Sequence, residues 1–327
     1  MNTIKFILIC LSFLLSSVIF ATMEEAKVLL KKGELSAAKV LFEAELKEPH
    51  INPVASSWLA RIAWQDKDFD IAEKLANKAV KKLPENAEIQ SNYGIIMANL
   101  AQTSSVFSKF GYAKKTLSGF SKAVSIEPEN IIYRQNLMAY HLAAPGIAGG
   151  DKEIALEQAN AINELDIKQG LQALLSVYMA TENEAAIQAL FAGMTEEQKQ
   201  DPDILLTYGL YQQTTEKYDQ ALIQFQHAIT YATDQEEFQS SKYGALYQLG
   251  RTSVLSKQNI GSGIEALRQY IDTAPELDGL PSKEWAEFRL ANLIEAGGNK
   301  SEAVSTYTRL AQDTNDENLK SAIKKAL

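Results

Sequence analysis

The chain has 327 residues, 46% of them hydrophobic and 22% charged, with one Cys and a formal net charge of −9. That much apolar chain excludes a disordered protein, and a lone Cys excludes a disulfide framework or a Cys-rich zinc site. The acidic balance argues against nucleic acid as a partner, because phosphates would be repelled.

Met1 to Ala21 opens on a short polar head with Lys5, runs through an apolar stretch from Phe6 to Leu15 and closes on Ile19, Phe20 and Ala21. One positive charge, about fifteen apolar residues and a small final residue predict a signal peptide over 1–21, cleaved near Ala21, and a periplasmic or secreted product. A spanning helix usually needs about 20 apolar residues, so this stretch is short for a permanent anchor, and no integral membrane segment is expected after cleavage. Ile19 is bulky where a small residue is preferred, and an uncleaved anchor is the alternative. Cys10 follows Ile9 rather than a small residue, which weakens a lipoprotein reading. The processed chain has no Cys and must be held by packing alone.

Beyond Ala21, stretches with Ala, Leu or Phe at three- and four-residue spacing each run up to a proline: Pro49, Pro84, Pro128, Pro202 and Pro275. Proline stops a helix because it lacks an N–H and clashes with the preceding turn. Short breaks at Lys32-Gly33-Glu34, Asp66-Lys67-Asp68, Glu216-Lys217 and Gly297-Gly298-Asn299 divide the stretches into pairs, without strand alternation.

The pairs repeat. Ala38 and Ala72 lie 34 residues apart, each early in a second helix. Tyr93-Gly94 leads to Phe120, Ala123 and Pro128; Tyr208-Gly209 leads to Ala221, Phe225 and Ala228; Leu249-Gly250 leads to Leu267 and Pro275; Leu290-Ala291 leads to Ala303 and Tyr307. A large apolar residue before Gly or Ala, then Ala-x-x-x-aromatic, then Pro, resembles the tetratricopeptide repeat of exported bacterial proteins. The resemblance implies an all-α fold, a right-handed superhelix (an α-solenoid of helical hairpins), with about seven or eight hairpins over 22–314 and a C-terminal capping helix over 315–327. Gly94, Gly209 and Gly250 are expected to let the two helices of a hairpin approach closely.

The array is irregular in places. Gly209, Gly250 and Ala291 are spaced by 41 residues, and about ten extra residues lie around Gln102 to Tyr112. Ile167 to Met194 is a short, poorly matching hairpin. Pro145 to Glu153, with Gly146, Gly149 and Gly150, is a loop in which Asp151 is placed to cap the next helix. It is similar to a segment of exported tetratricopeptide proteins, as is Gly279-Leu280-Pro281-Ser282 with Trp285, Ala286, Arg289 and Leu290.

Little in the chain predicts chemistry. His50, His141 and His227 are scattered, without a second ligand at metal spacing, and no nucleophile elbow, phosphate loop or dinucleotide fingerprint occurs. No catalytic residue, metal or cofactor is expected. Acidic pairs such as Glu196-Glu197 read as solvated helix starts.

What remains is the first helix of each hairpin, which by the resemblance lines a concave, peptide-binding face. It offers Trp58, Arg61, Trp64, Asn92, Asn99 and Asn136 in the N-terminal half, and Tyr247, Gln248, Arg251, Phe288, Arg289 and Asn292 in the C-terminal half. Arg, Trp and Tyr dominate binding hot spots, and Asn can hold a peptide backbone. The reading is a non-enzymatic scaffold or adaptor of the bacterial envelope that binds a protein or peptide carrying acidic or carboxylate groups. The alternatives are a membrane-tethered adaptor and a glycan-binding or enzyme-associated solenoid. The Lys set of the carboxylate clamp known in cytoplasmic co-chaperones is missing beside Asn92 and Asn136, so that function is not carried over.

Overall fold

The computed structural model describes residues 22–46, 51–233, 235–277 and 279–327. The expected signal peptide, Cys10, Pro49 and His50 lie outside the described residues. Every regular element among the described residues is an α-helix or a short 3-10 turn.

The helices come in antiparallel pairs. They are α1 (22–31) with α2 (Leu35–Ala44), α3 (Pro53–Gln65) with α4 (Phe69–Lys82), α5 (Ala87–Thr103) with α6 (Val106–Ile126) and α7 (Ile131–Ala143) with α8 (Lys152–Leu165). Then follow α9 (Ile167–Ala180), α10 (Glu184–Gly193) and a single turn α11 (Glu196–Lys199), and three further pairs, α12 (Pro202–Thr214) with α13 (Tyr218–Ala232), α14 (Gln239–Ser256) with α15 (Ile260–Thr273), and α16 (Lys283–Ala296) with α17 (Lys300–Asp313). The last helix, α18 (Glu317–Ala326), packs on α17. The chain divides into two compact units, one ending at Ala173 and the other starting at Leu174, within α9.

Local chemistry sets the ends. Asn52, Asn86, Asn130, Asp151, Asp201 and Asp316 each accept a backbone N–H of the following first turn, answering donors that have no intrahelical partner. The turns inside hairpins pass through the left-handed region at Gly33 (φ 76°), Lys67 (φ 64°), Glu216 (φ 59°) and Gly298 (φ 98°), which reverses the chain in two or three residues. Only glycine takes that conformation without a Cβ penalty.

Close helix approach within a hairpin depends on small residues. A Cβ on Gly94 would stand 2.4 Å from the Phe120 ring, one on Gly209 2.6 Å from Phe225, and one on Gly250 2.3 Å from the Leu267 side chain. Ala72, Ala221 and Ala303 are fully buried on the second helices of their hairpins, α4, α13 and α17. Phe225 also shares its core with Ala245 and Leu246 of the following hairpin, so one ring closes its own pair and joins it to the next. No hairpin buries its apolar face alone, and neighbours complete it.

Two expected irregularities take definite form. The extra residues around Gln102 to Tyr112 lengthen α5 and α6 to 17 and 21 residues instead of forming a loop. The segment after Pro145 is a loop holding a 3-10 turn (Gly146–Ala148), and Asp151 accepts from the backbone N–H of Glu153 at 2.9 Å. The Tyr140 hydroxyl donates to the Ala148 carbonyl at 2.5 Å, tying that loop to α7.

Candidate ligand-facing surface on the first helices

Along each unit, successive first helices touch one another: α3 meets α5 in the first unit, and α12 meets α14 and α14 meets α16 in the second. Polar side chains run along these seams. Asn92 donates to Ser57 Oγ at 3.1 Å and Asn136 donates to Ser91 Oγ at 3.2 Å, so each Asn of one first helix grips a serine of the preceding one. In the second unit, Gln213 donates to Gln248 at 3.1 Å and to Thr252 Oγ1 at 2.7 Å.

The seams hold arginines. Arg61 lies with its guanidinium carbon 4.9 Å from the Trp58 ring centre and donates to Asn92 Oδ1 at 3.5 Å. Arg251 donates to Gln213 at 2.5 Å and to Gln248 at 3.3 Å. Arg289 lies 5.5 Å from the Trp285 ring and 5.3 Å from Phe288, and its Nε is buried without a hydrogen-bond partner. All three are half-buried, and burial lowers the pKa of Arg61 from its ordinary value. Among the described residues none of the three forms an ion pair with a carboxylate, whereas Lys27, Lys115, Lys217 and Arg309 do. The three guanidiniums are held by neutral amides or aromatic faces.

The twelve expected residues therefore separate. Trp58, Arg61, Asn136, Gln248, Arg251, Arg289 and Asn292 are half-buried along the first helices. Asn99 is half-buried as well. Trp64 packs 4.6 Å from Phe69 and belongs to the core between α3 and its neighbours. Asn92, Tyr247 and Phe288 are only 4%, 6% and 4% exposed. Tyr247 and Phe288 are core residues, against Tyr270 at 5.7 Å and Tyr307 at 5.7 Å, and Asn92 acts by holding Arg61. Asn292 donates to the Tyr307 hydroxyl at 2.8 Å, a bond within its own hairpin.

Sequence reading passed over the residues that orient the set. Gln213, 5% exposed, is the side chain that both amide and guanidinium of the second unit converge on. Glu88 and Asp316 receive the indole N–H of Trp58 and Trp285 at 2.7 and 2.8 Å. The available signal was a shared spacing: a Trp, an Arg three or four residues on, and an acid about thirty residues later. Among the described residues no group of three or more His, Cys, Asp or Glu is placed to hold a metal ion. His141 is buried and His227 exposed.

No protein-family model matches the sequence, and no curated protein matches it. Solved structures similar to it include a tetratricopeptide repeat protein from Parabacteroides merdae, with TM-score 0.46 and 13% identity over 94% of this chain and 97% of that one. A thermophilic tetratricopeptide protein of Thermus thermophilus is similar at TM-score 0.45 and 17% identity, over 70% of this chain and 98% of that one. The type IV pilus biogenesis factor PilW is similar at TM-score 0.45 and 14% identity, over 82% and 96%.

Proposed function

We propose that this chain of tetratricopeptide-like helical hairpins is a non-enzymatic scaffold that binds a protein or peptide partner through acidic or carboxylate groups. The observation that carries the reading is the set of arginines, Arg61, Arg251 and Arg289, held in place along the first helices without a carboxylate partner, in a chain where acids outnumber bases 41 to 32. An arginine with so many acids in the same chain and none within ion-pair distance is a charge kept available. Its fork of donors matches a carboxylate, and a partly desolvated setting strengthens the pair. Trp58 and Trp285 serve as the faces on which two of the guanidiniums rest.

The reading places the protein in the bacterial envelope, exported by the segment that ends at Ala21, and intact mass of the processed protein distinguishes cleavage from a retained anchor. A sugar-binding platform fits less well, because Phe288 is buried and Trp58 has Phe42 stacked at 6.1 Å on its ring while Arg61 approaches within 4.9 Å.

The test is affinity capture from an envelope extract by wild type and by an Arg61→Glu, Arg251→Glu variant, with circular dichroism to show that both are folded. A partner held by wild type and released by the variant supports the reading. An identical catch from both overturns it.

A further inference from the structure

The α5–α6 hairpin outreaches its neighbours. Its helices have 17 and 21 residues, against 13 or 14 in α3, α4, α7 and α8. At about 1.5 Å per residue, the surplus carries its tip roughly 5–10 Å further. Cover ends at Tyr112, whose hydroxyl donates to Glu73 at 2.8 Å, and residues 107–111 before it are all exposed. Phe107 is 95% exposed and Phe110 43%.

The charge of this hairpin opposes that of the chain. Residues 89–126 contain no Asp or Glu and four lysines, Lys109, Lys114, Lys115 and Lys122. Lys115 pairs with Glu73 at 3.1 Å and Lys122 with Glu85 at 2.6 Å. Lys109 and Lys114 are exposed and have no carboxylate partner among the described residues.

We infer that the α5–α6 tip docks on an anionic lipid bilayer, with Phe107 and Phe110 entering the headgroup layer and Lys109 and Lys114 facing the lipid phosphates. A narrow tip offers little area to a protein, whose stable interfaces bury about 800 Å² on each side. A bilayer closes around a protruding tip, favours aromatic rings at its boundary and attracts lysines. Lysine without nearby acid complements anionic headgroups in a way the rest of this acidic chain does not.

The test uses the full chain with phosphatidylcholine vesicles, with and without phosphatidylglycerol, and wild type beside Lys109→Gln, Lys114→Gln and Phe107→Ser, Phe110→Ser variants whose helicity is verified. Wild type is expected to sediment with the anionic vesicles. The lysine variant should lose about 30-fold in apparent affinity, and the phenylalanine variant about tenfold or more. A Cys10→Ser, Phe107→Cys protein labelled with an environment-sensitive dye should shift to the blue on anionic vesicles, which separates the tip from the apolar run at Phe6 to Leu15. Vesicle binding equal in all three proteins with no dye shift overturns the assignment. So does binding of polyglutamate in preference to vesicles, which would make the tip a site for an acidic protein.

Discussion

Trp58 donates its indole N–H to Glu88 Oε1 at 2.7 Å, so the middle of α3 is fastened to the start of α5 at the place where Arg61 rests on the same ring. Glu88 also receives Lys27 at 2.7 Å, and this ties α1 into the seam. Trp285 repeats the arrangement with Asp316 and Arg289. In both places the acid engages the Trp and leaves the Arg unneutralised, which is the electrostatic feature the proposed function rests on.

Removing Asn92 tests how Arg61 is positioned. Asn92→Ala deletes a buried amide that bonds Ser57 and receives Arg61, and is expected to cost about 1–2 kcal/mol. Partner affinity should fall further than in a Ser57→Ala control, because of the two it is Asn92 that receives the guanidinium. Urea unfolding and binding of the captured partner measure the two effects separately.

Two glycines of α6 should respond in opposite directions to the same substitution. A Cβ at Gly119 would meet the Gln90 carbonyl at 2.7 Å and the Gly94 nitrogen at 2.9 Å, backbone atoms that have no rotamer to yield. Gly119→Ala is expected to destabilise by about 1–3 kcal/mol. Gly111 has nothing within 4 Å, and Gly111→Ala should stabilise by about 0.5–1 kcal/mol through helix propensity. Thermal melts of the two variants check the sign of each.

The pH dependence of the C-terminal cap follows from Asp316. The Trp285 indole N–H, with the backbone N–H groups of Leu319 and Asn318, holds its carboxyl below the ordinary value of 3.8. A depressed folded pKa means stabilisation that is present above that ordinary value and is lost as pH falls through the folded one. Asp316→Asn should therefore differ from wild type at neutral pH and converge with it in strong acid. Glu73 follows the same sign: burial alone would raise its pKa, and hydrogen bonds from Tyr112 and Lys115 outweigh that. Urea titrations across the acid range test both.

Much of the architecture was legible because it rests on short-range chemistry. Pro84 and Pro128 follow helix ends as expected; Pro202, expected to close a helix, instead opens α12 at its first position, where its missing N–H costs nothing; and the Gly94 and Gly209 positions report a close approach that no larger residue permits. Asp151 as a cap was legible for the same reason. The length of α5 and α6 was not, since an insertion between two helices reads alike whether it loops out or continues both. The arginines were legible as residue types. Their setting was not: Gln213 lies 38 residues from Arg251, Glu88 30 from Trp58 and Asp316 31 from Trp285, and ordinary polar residues give no sign of which side chain they will meet. Tyr247 and Phe288 went to the core because aromatic residues on a first helix face the partner helix as readily as the open side.

In the proposed function the arginines of the first helices that lack a carboxylate partner choose the ligand. Selection from a displayed peptide library with free C-termini, against immobilised wild type and an Arg61→Gln, Arg251→Gln, Arg289→Gln variant of equal helicity, tests it most directly. The account predicts that wild type enriches acidic sequences, weakened by salt, and that the variant enriches none of them. Enrichment of neutral sequences, or the same sequences from both proteins, would contradict it.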